Sequence, residues 1–276
     1  MDLASRQSVL PLRVGAVSYL NSKPLVRGLA DALPVARLSF DLPSRLADDL
    51  TGGRLDVALV PIVEYFRQPE FSLVSDACVA CHGPVLSVKL YFRTAPDDVG
   101  RLALDEGSRT SAALGRILLA NLDDALPEVV PLPIGDGLEQ ADADAVLLIG
   151  DRAMQQPEGG FCEVWDLGEQ WCRWTETPFV FAAWVARPGL QVDLAELAAI
   201  FEAVRDQGVH EIEEIAEEES GKLGLSVETA REYLSRNLHF TLGSSERQGM
   251  NRFVEECRKL HLLDVHRGVQ SRLLAN

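Results

Sequence analysis

Short apolar runs alternate with amphipathic segments from residue 12 to residue 60, and this alternation leaves the chain few folds to choose from. Residues 12–17 read as a strand, and residues 24–32 begin a helix with Pro24 in its first turn. Residues 35–40 form a second strand. A helix follows from Pro43 to about Leu50, with Ser44 near its start and Gly52-Gly53 at its end. Residues 56–60 make a third strand, apolar enough to be buried. This order implies parallel strands, because each helix returns the chain to the starting edge of the sheet.

A second unit of the same kind starts near Leu102, with strands at 102–104, 129–132 and 145–149 and a helix at 111–121. Extended, β-rich stretches at 84–93 and 178–187 flank it. Beyond them the pattern is helical, at 193–207, 211–223, 226–237 and 245–261. The reading is an α/β chain of two lobes, each a mainly parallel sheet flanked by helices, joined by two crossing strands. Residues 1–92 and 186–276 would form the first lobe, and residues 93–185 an inserted second lobe.

A formal charge of −16 argues against nucleic acid or an anionic membrane as partner. An anionic ligand must therefore be held by local donors. No run approaches the roughly 18 apolar residues of a membrane span. The first dozen residues hold one arginine and no long apolar region with a cleavage site, so a cytoplasmic location is expected. Five cysteines, an odd number, fit reduced thiols. Cys78 and Cys81 have C-x-x-C spacing, but no second pair completes a metal site and the run around them is strand-like. They read as structural, and no metal is expected.

Four places carry polar chemistry. Ser18 and Asn21 lie in the loop after the first strand, where parallel sheets bind ligands and where such residues also cap helices. Ser108, Arg109, Thr110 and Ser111 open the helix of the second unit. Their hydroxyls and the free N–H groups of its first turn suit an anion, or ordinary capping. His82 and Ser87 flank the first extended stretch, where a lone serine or histidine is more often structural. Glu64, Asp105, Asp151 and Asp166 follow strands, and any of them can act as acid or base if desolvated. Neither G-x-S-x-G, a P-loop nor G-x-G-x-x-G is present. The residues themselves lead to a two-lobed protein that binds a small anion, and no further.

Seven ordered blocks extend the reading. Val14-Gly15-Ala16-Val17-Ser18-Tyr19-Leu20-Asn21, Pro43-Ser44-Arg45-Leu46-Ala47, and Leu55-Asp56-Val57-Ala58-Leu59-Val60-Pro61 with Glu64-Tyr65 are the first three. Gly83-Pro84-Val85 with Ser87, Ser108-Arg109-Thr110-Ser111, Leu148-Ile149-Gly150-Asp151, and Pro178-Phe179-Val180-Phe181-Ala182 with Trp184 complete them. Together they resemble the chorismate dehydratase family of menaquinone biosynthesis. Glu176-Thr177 and His82 depart from the family pattern without touching an expected substrate contact. The resemblance implies the fold of type 2 periplasmic binding proteins and conversion of chorismate to 3-[(1-carboxyvinyl)oxy]benzoate with loss of water. It implies no cofactor, neither metal, nicotinamide nor flavin, and no partner beyond the small-molecule substrate. It puts Asn21 against the reacting ring as the catalytic side chain, with Ser18, Ser87, Ser108, Arg109, Thr110 and Ser111 binding substrate. The proton acceptor stays open among the substrate's own carboxylate, Glu64 and Asp151.

Two other readings share the fold. A non-catalytic solute-binding protein for small anions is expected to carry an export signal or lipoprotein cysteine. The related enzyme that forms the dihydroxynaphthoate skeleton is expected to carry a Ser-Pro-Cys-Pro-type motif where this chain has Ser-Tyr-Leu-Asn.

Overall fold

The computed structural model describes residues 11–122, 126–155 and 159–263. Most of the N-terminal segment weighed above as a leader lies outside the described residues. Three parallel strands start the first sheet: β1 (Arg13–Val17) lies between β2 (Arg37–Asp41) and β3 (Val57–Pro61). Every residue of β3 is buried, as its unbroken apolar run requires. The intervening helix α2 (Pro43–Thr51) takes proline at its first turn and buries Leu46, Ala47 and Leu50 on one face.

The sheet continues antiparallel through β10 (Phe179–Ala186), β4 (Ser72–Cys81) and β11 (His239–Thr241), in the order β11-β4-β10-β3-β1-β2. The second sheet repeats the plan. Strand β6 (Arg101–Asp105) is parallel to β7 (Glu128–Leu132) and β8 (Ala145–Ile149), while β5 (Val88–Phe92) runs antiparallel to β8 and to β9 (Glu163–Asp166). Its order is β7-β6-β8-β5-β9. The two-lobed α/β architecture expected from sequence is present. Its parallel character belongs to the three-strand core of each sheet; the strands entering and leaving through the crossings pair antiparallel.

The crossings themselves fall earlier than the boundaries at 92/93 and 185/186. Strand β5 already belongs to the second sheet and β10 to the first, so the chain changes sheet at residues 82–87 and 167–178. Each apolar run is needed as a buried strand within a sheet, which leaves the polar and glycine-containing residues before it to bridge. Strands β9 and β11, and the helix α5 (Leu167–Thr175) within the second crossing, are additions to the sequence reading.

The helix expected at 24–32 is broken. Residues Leu20–Leu25 form a 3-10 turn, and α1 is only Leu29–Ala32, because Gly28 adopts φ +76° between them. The hydroxyl of Ser22 donates to the carbonyls of Val17 and Tyr19, folding the loop back onto the end of β1.

The C-terminal helices α6 (Leu194–His210), α7 (Ile212–Leu223), α8 (Val227–Glu232) with a π turn at Tyr233–Asn237, and α9 (Ser244–Lys259) pack mainly on the first sheet and on the 3-10 turn. Trp184 of β10 stacks on Phe201 of α6 at 4.3 Å between ring centres. No helix among the described residues is long and apolar enough to cross a membrane.

Helix α6 touches the 3-10 turn through Gly208. A Cβ there would stand 2.0 Å from the Pro24 carbonyl oxygen, so backbone would have to move. Gly208→Ala should cost about 1–3 kcal/mol in chemical denaturation, the usual penalty of overpacking. It should also displace the turn that carries Asn21. Unchanged stability would mean that α6 does not hold this turn in place.

Candidate active site

The carboxyl ends of parallel strands from both sheets meet across one cleft. β1 ends there at Val17, β3 at Pro61 and β8 at Ile149 and Gly150, and the turn after β6 delivers Ser108 and Ser111. The antiparallel strands add Val79, Phe181, Ala182 and Val88. Phe181 has no partner between the pairs Val180–Ala80 and Ala182–Val79, a bulge that turns the strand beside the cleft. The empty volume is about 480 Å³ when its open mouth and the solvent there are counted.

Asn21 and Ser87 enter the cleft from the first lobe and the first crossing. Behind them stands a residue that the sequence reading missed. Tyr233, fully buried in the π turn, donates from its phenol to Ser87 Oγ at 2.8 Å. Burial pushes the phenol pKa well up, opposed by hydrogen-bonding contacts with Ser87 and Asn21. Because Ser87 accepts from Tyr233, its own hydroxyl proton is left for a ligand.

Ser87 is held by its backbone. Its N–H donates to the Val85 carbonyl at 2.7 Å, closing a three-residue turn with Leu86 at φ +60°. The Asp166 carboxylate accepts from the N–H groups of Val85 (2.9 Å) and Leu86 (2.6 Å), and from Glu169 (3.1 Å) at the start of α5. Asp166 is thus a positioning group that holds three backbone N–H groups.

The turn Ser108–Ser111 divides. Ser108 caps α4 (Arg109–Ala120), accepting from Ser111 N and from Ser111 Oγ at 3.1 Å, and both serines line the cleft. Ser108 therefore keeps its own proton for a ligand. Thr110 faces elsewhere: its Oγ1 accepts from Val63 N at 3.1 Å, joining α4 to α3 (Ile62–Arg67) of the first lobe. Arg109 reaches Asp48 at 2.7 Å and Glu64 at 3.6 Å, also across the lobes. Helical spacing carries the signal, since residues 108 and 111 share a face that 109 and 110 do not. Ser18 is exposed and absent from the cleft lining; its N–H donates to the Asp41 carbonyl. The cleft therefore collects Asn21, Ser87, Ser108 and Ser111 and leaves out Ser18, Arg109 and Thr110.

None of the strand-end acids lines the cleft. Glu64 pairs with Arg67 and Arg109. Asp105 accepts from Gly107 N, Ile149 N and Arg152, bracing the turn after β6. Asp151 accepts from Leu20 N at 3.0 Å, another bond between lobes, and burial pushes its pKa up to about 6. Tyr19 is the cleft's only ionisable side chain among the described residues, and burial with nearby Asp105 pushes it to about 12. Cys78 and Cys81 are fully buried on opposite faces of β4, and desolvation raises both thiols, so neither is a thiolate near neutrality.

Residues 12–259 match the family model described as menaquinone biosynthesis. The chain belongs to that family. A chorismate dehydratase of Thermus thermophilus is 34% identical across 89% of this chain and 94% of its own. A chorismate dehydratase of Campylobacter jejuni is 24% identical across 92% and 96%. Among solved structures, protein AF1704 of Archaeoglobus fulgidus superposes with a TM-score of 0.71 at 14% identity, covering 93% of this chain and all of that one. The periplasmic aliphatic sulphonate-binding protein of Escherichia coli superposes at 0.61 and 16% identity, over 95% and 96%. These structures show the fold. In this member of the menaquinone biosynthesis family, that fold brings the two lobes together over a cleft poor in charge.

Asp151 offers a test of lobe contact. Its folded pKa lies above the ordinary 3.8, so protonation favours the fold. The stability this adds is complete below about pH 4 and is lost as pH rises through about 6. Asp151→Asn keeps an acceptor for Leu20 N and removes the titration. Between about pH 4 and pH 7 the wild type should lose about 1–3 kcal/mol relative to the variant. Parallel denaturation curves at every pH would show that the half-buried carboxylate carries no such penalty.

Proposed function

We propose that this chain dehydrates chorismate to 3-[(1-carboxyvinyl)oxy]benzoate. One observation carries the proposal: within a chain matched almost end to end by chorismate dehydratases, the cleft offers hydrogen bonds but no side chain that accepts a proton at neutral pH. A reaction that brings its own base suits such a site. In chorismate the side-chain carboxylate takes the proton from the ring carbon that bears the enolpyruvyl ether. The C–H electrons become a ring double bond as the C–O bond to the neighbouring hydroxyl breaks. Hydroxide leaves, recovers the proton from the carboxylic acid and departs as water, and aromatisation drives the step.

The protein's part is then to position the dianion and steady developing charge. In this reading the ring carboxylate meets the first-turn N–H groups of α4 with the hydroxyl of Ser108, which Ser111 orients by donating to it. The Asn21 amide donates to the departing hydroxyl, with Ser87 beside it, polarised by Tyr233. An amide has no useful basicity near neutrality, so Asn21 orients and stabilises and does not take the proton. The proposal includes a hinge at residues 82–87 and 167–178, closure sealed by the Thr110, Arg109 and Asp151 contacts, and a cytoplasmic location.

Chorismate mixed with the purified protein should yield a product lighter by one water in mass spectrometry; unchanged chorismate would favour a binding protein that shares the fold. Asn21→Asp should fold normally and lose about 10²-fold in turnover. Tyr233→Phe should lose about tenfold, as expected for about 1.4 kcal/mol of lost polarisation. Full turnover in Asn21→Asp would remove Asn21 from the chemistry. A chorismate ester blocked at the side-chain carboxylate should bind and fail to react; turnover of that ester would move the base onto the protein.

A further inference from the structure

Outside the cleft, three side chains from separate parts of the chain converge on one point of the first lobe. His82 follows β4 at the first crossing, His239 opens β11, and Glu246 lies in the first turn of α9. His82 Nε2 sits 2.6 Å from Glu246 Oε1, and His239 Nε2 sits 3.8 Å from the same oxygen. One ligand atom from each of the three falls within 4.8 Å of the other two. The imidazoles face one another at 4.4 Å between ring centres.

We propose that His82, His239 and Glu246 bind a divalent transition-metal ion of the zinc class. Two imidazoles and a carboxylate are a donor set that this class prefers, with water completing a tetrahedron. Around an ion with bonds of about 2.0–2.1 Å, tetrahedral donors stand roughly 3.3–3.5 Å apart. The present separations bracket that spacing, and rotation of the two rings would reach it. His82 is 53% exposed along its side chain, which gives an ion a way in. Glu246 is buried and fixed, because its other oxygen accepts from Gly243 N at 2.9 Å. The His239 ring also hydrogen-bonds the Thr241 backbone, the kind of outer contact that orients a ligating imidazole. The formal charge of −16 attracts cations to the surface.

None of the three side chains lines the cleft, so the ion takes no part in the dehydration. It instead fastens the start of the first crossing to β11 and α9, adding a constraint on one side of the hinge.

The test is zinc titration of chelator-stripped full-length protein against a chromogenic zinc indicator, with melting followed in parallel. The expected result is one equivalent bound, a melting temperature raised by zinc, and affinity lowered at least tenfold in His82→Asn and in His239→Asn. Cys162→Ser, which removes an exposed thiol, should still bind one equivalent. His82 is exposed enough for its replacement to leave the fold intact, which circular dichroism checks. Less than a tenth of an equivalent taken up by the wild type, or equal uptake by both histidine variants, overturns the assignment.

Discussion

Three backbone N–H groups from two different crossings converge on the carboxylate of Asp166. Val85 and Leu86 lie on the way from the first sheet to the second, and Glu169 lies on the way back. One half-buried acid thereby ties together both bridges between the lobes, caps α5 and fixes the turn that presents Ser87. Burial raises its pKa and the N–H groups oppose that rise, so the carboxylate and its donors stabilise one another. Without it, those N–H groups would lose their carboxylate acceptor and Ser87 would lose its fixed approach to the cleft.

Around that anchor the site follows a consistent electrostatic plan. The acids and Arg109 near the cleft are turned away from it, some of them to bonds between lobes, as with Arg109 on Asp48 and Asp151 on the Leu20 amide. Neutral donors are turned inward. Asn21, Ser87 and Ser108 can each donate to an oxygen without competing for the proton that has to move, and Ser111 donates to Ser108 behind them. For a flexible dianion prone to other rearrangements, fixed dipoles lining a cleft give control of conformation that mobile charges in water would not.

Strands with continuous apolar runs were legible from the sequence, as were the loops at their carboxyl ends, because both signals are local. Strands β9 and β11 were not, being four and three residues long with partly exposed faces. The broken helix at 24–32 turned on the φ of Gly28, and glycine alone does not announce its sign. Tyr233 was hidden for a different reason. It sits in a helical pattern where an aromatic reads as core, and its partner Ser87 is 146 residues away. Thr110 shows the converse case, a hydroxyl expected from its helix-start position to meet a ligand that instead accepts from Val63 N, a contact that only the folded lobes create.

Leu86 adds a consequence for how such a chain can change. A leucine held at φ +60° costs of order 1–3 kcal/mol against an ordinary backbone, and it sits one residue before Ser87. Glycine there would relieve the penalty, yet it would free the turn to wander and take the serine with it. It would also give up the contact that the Leu86 side chain makes with the core. The strained leucine thus offsets its own backbone cost by packing, and a stiff turn for the serine comes with it.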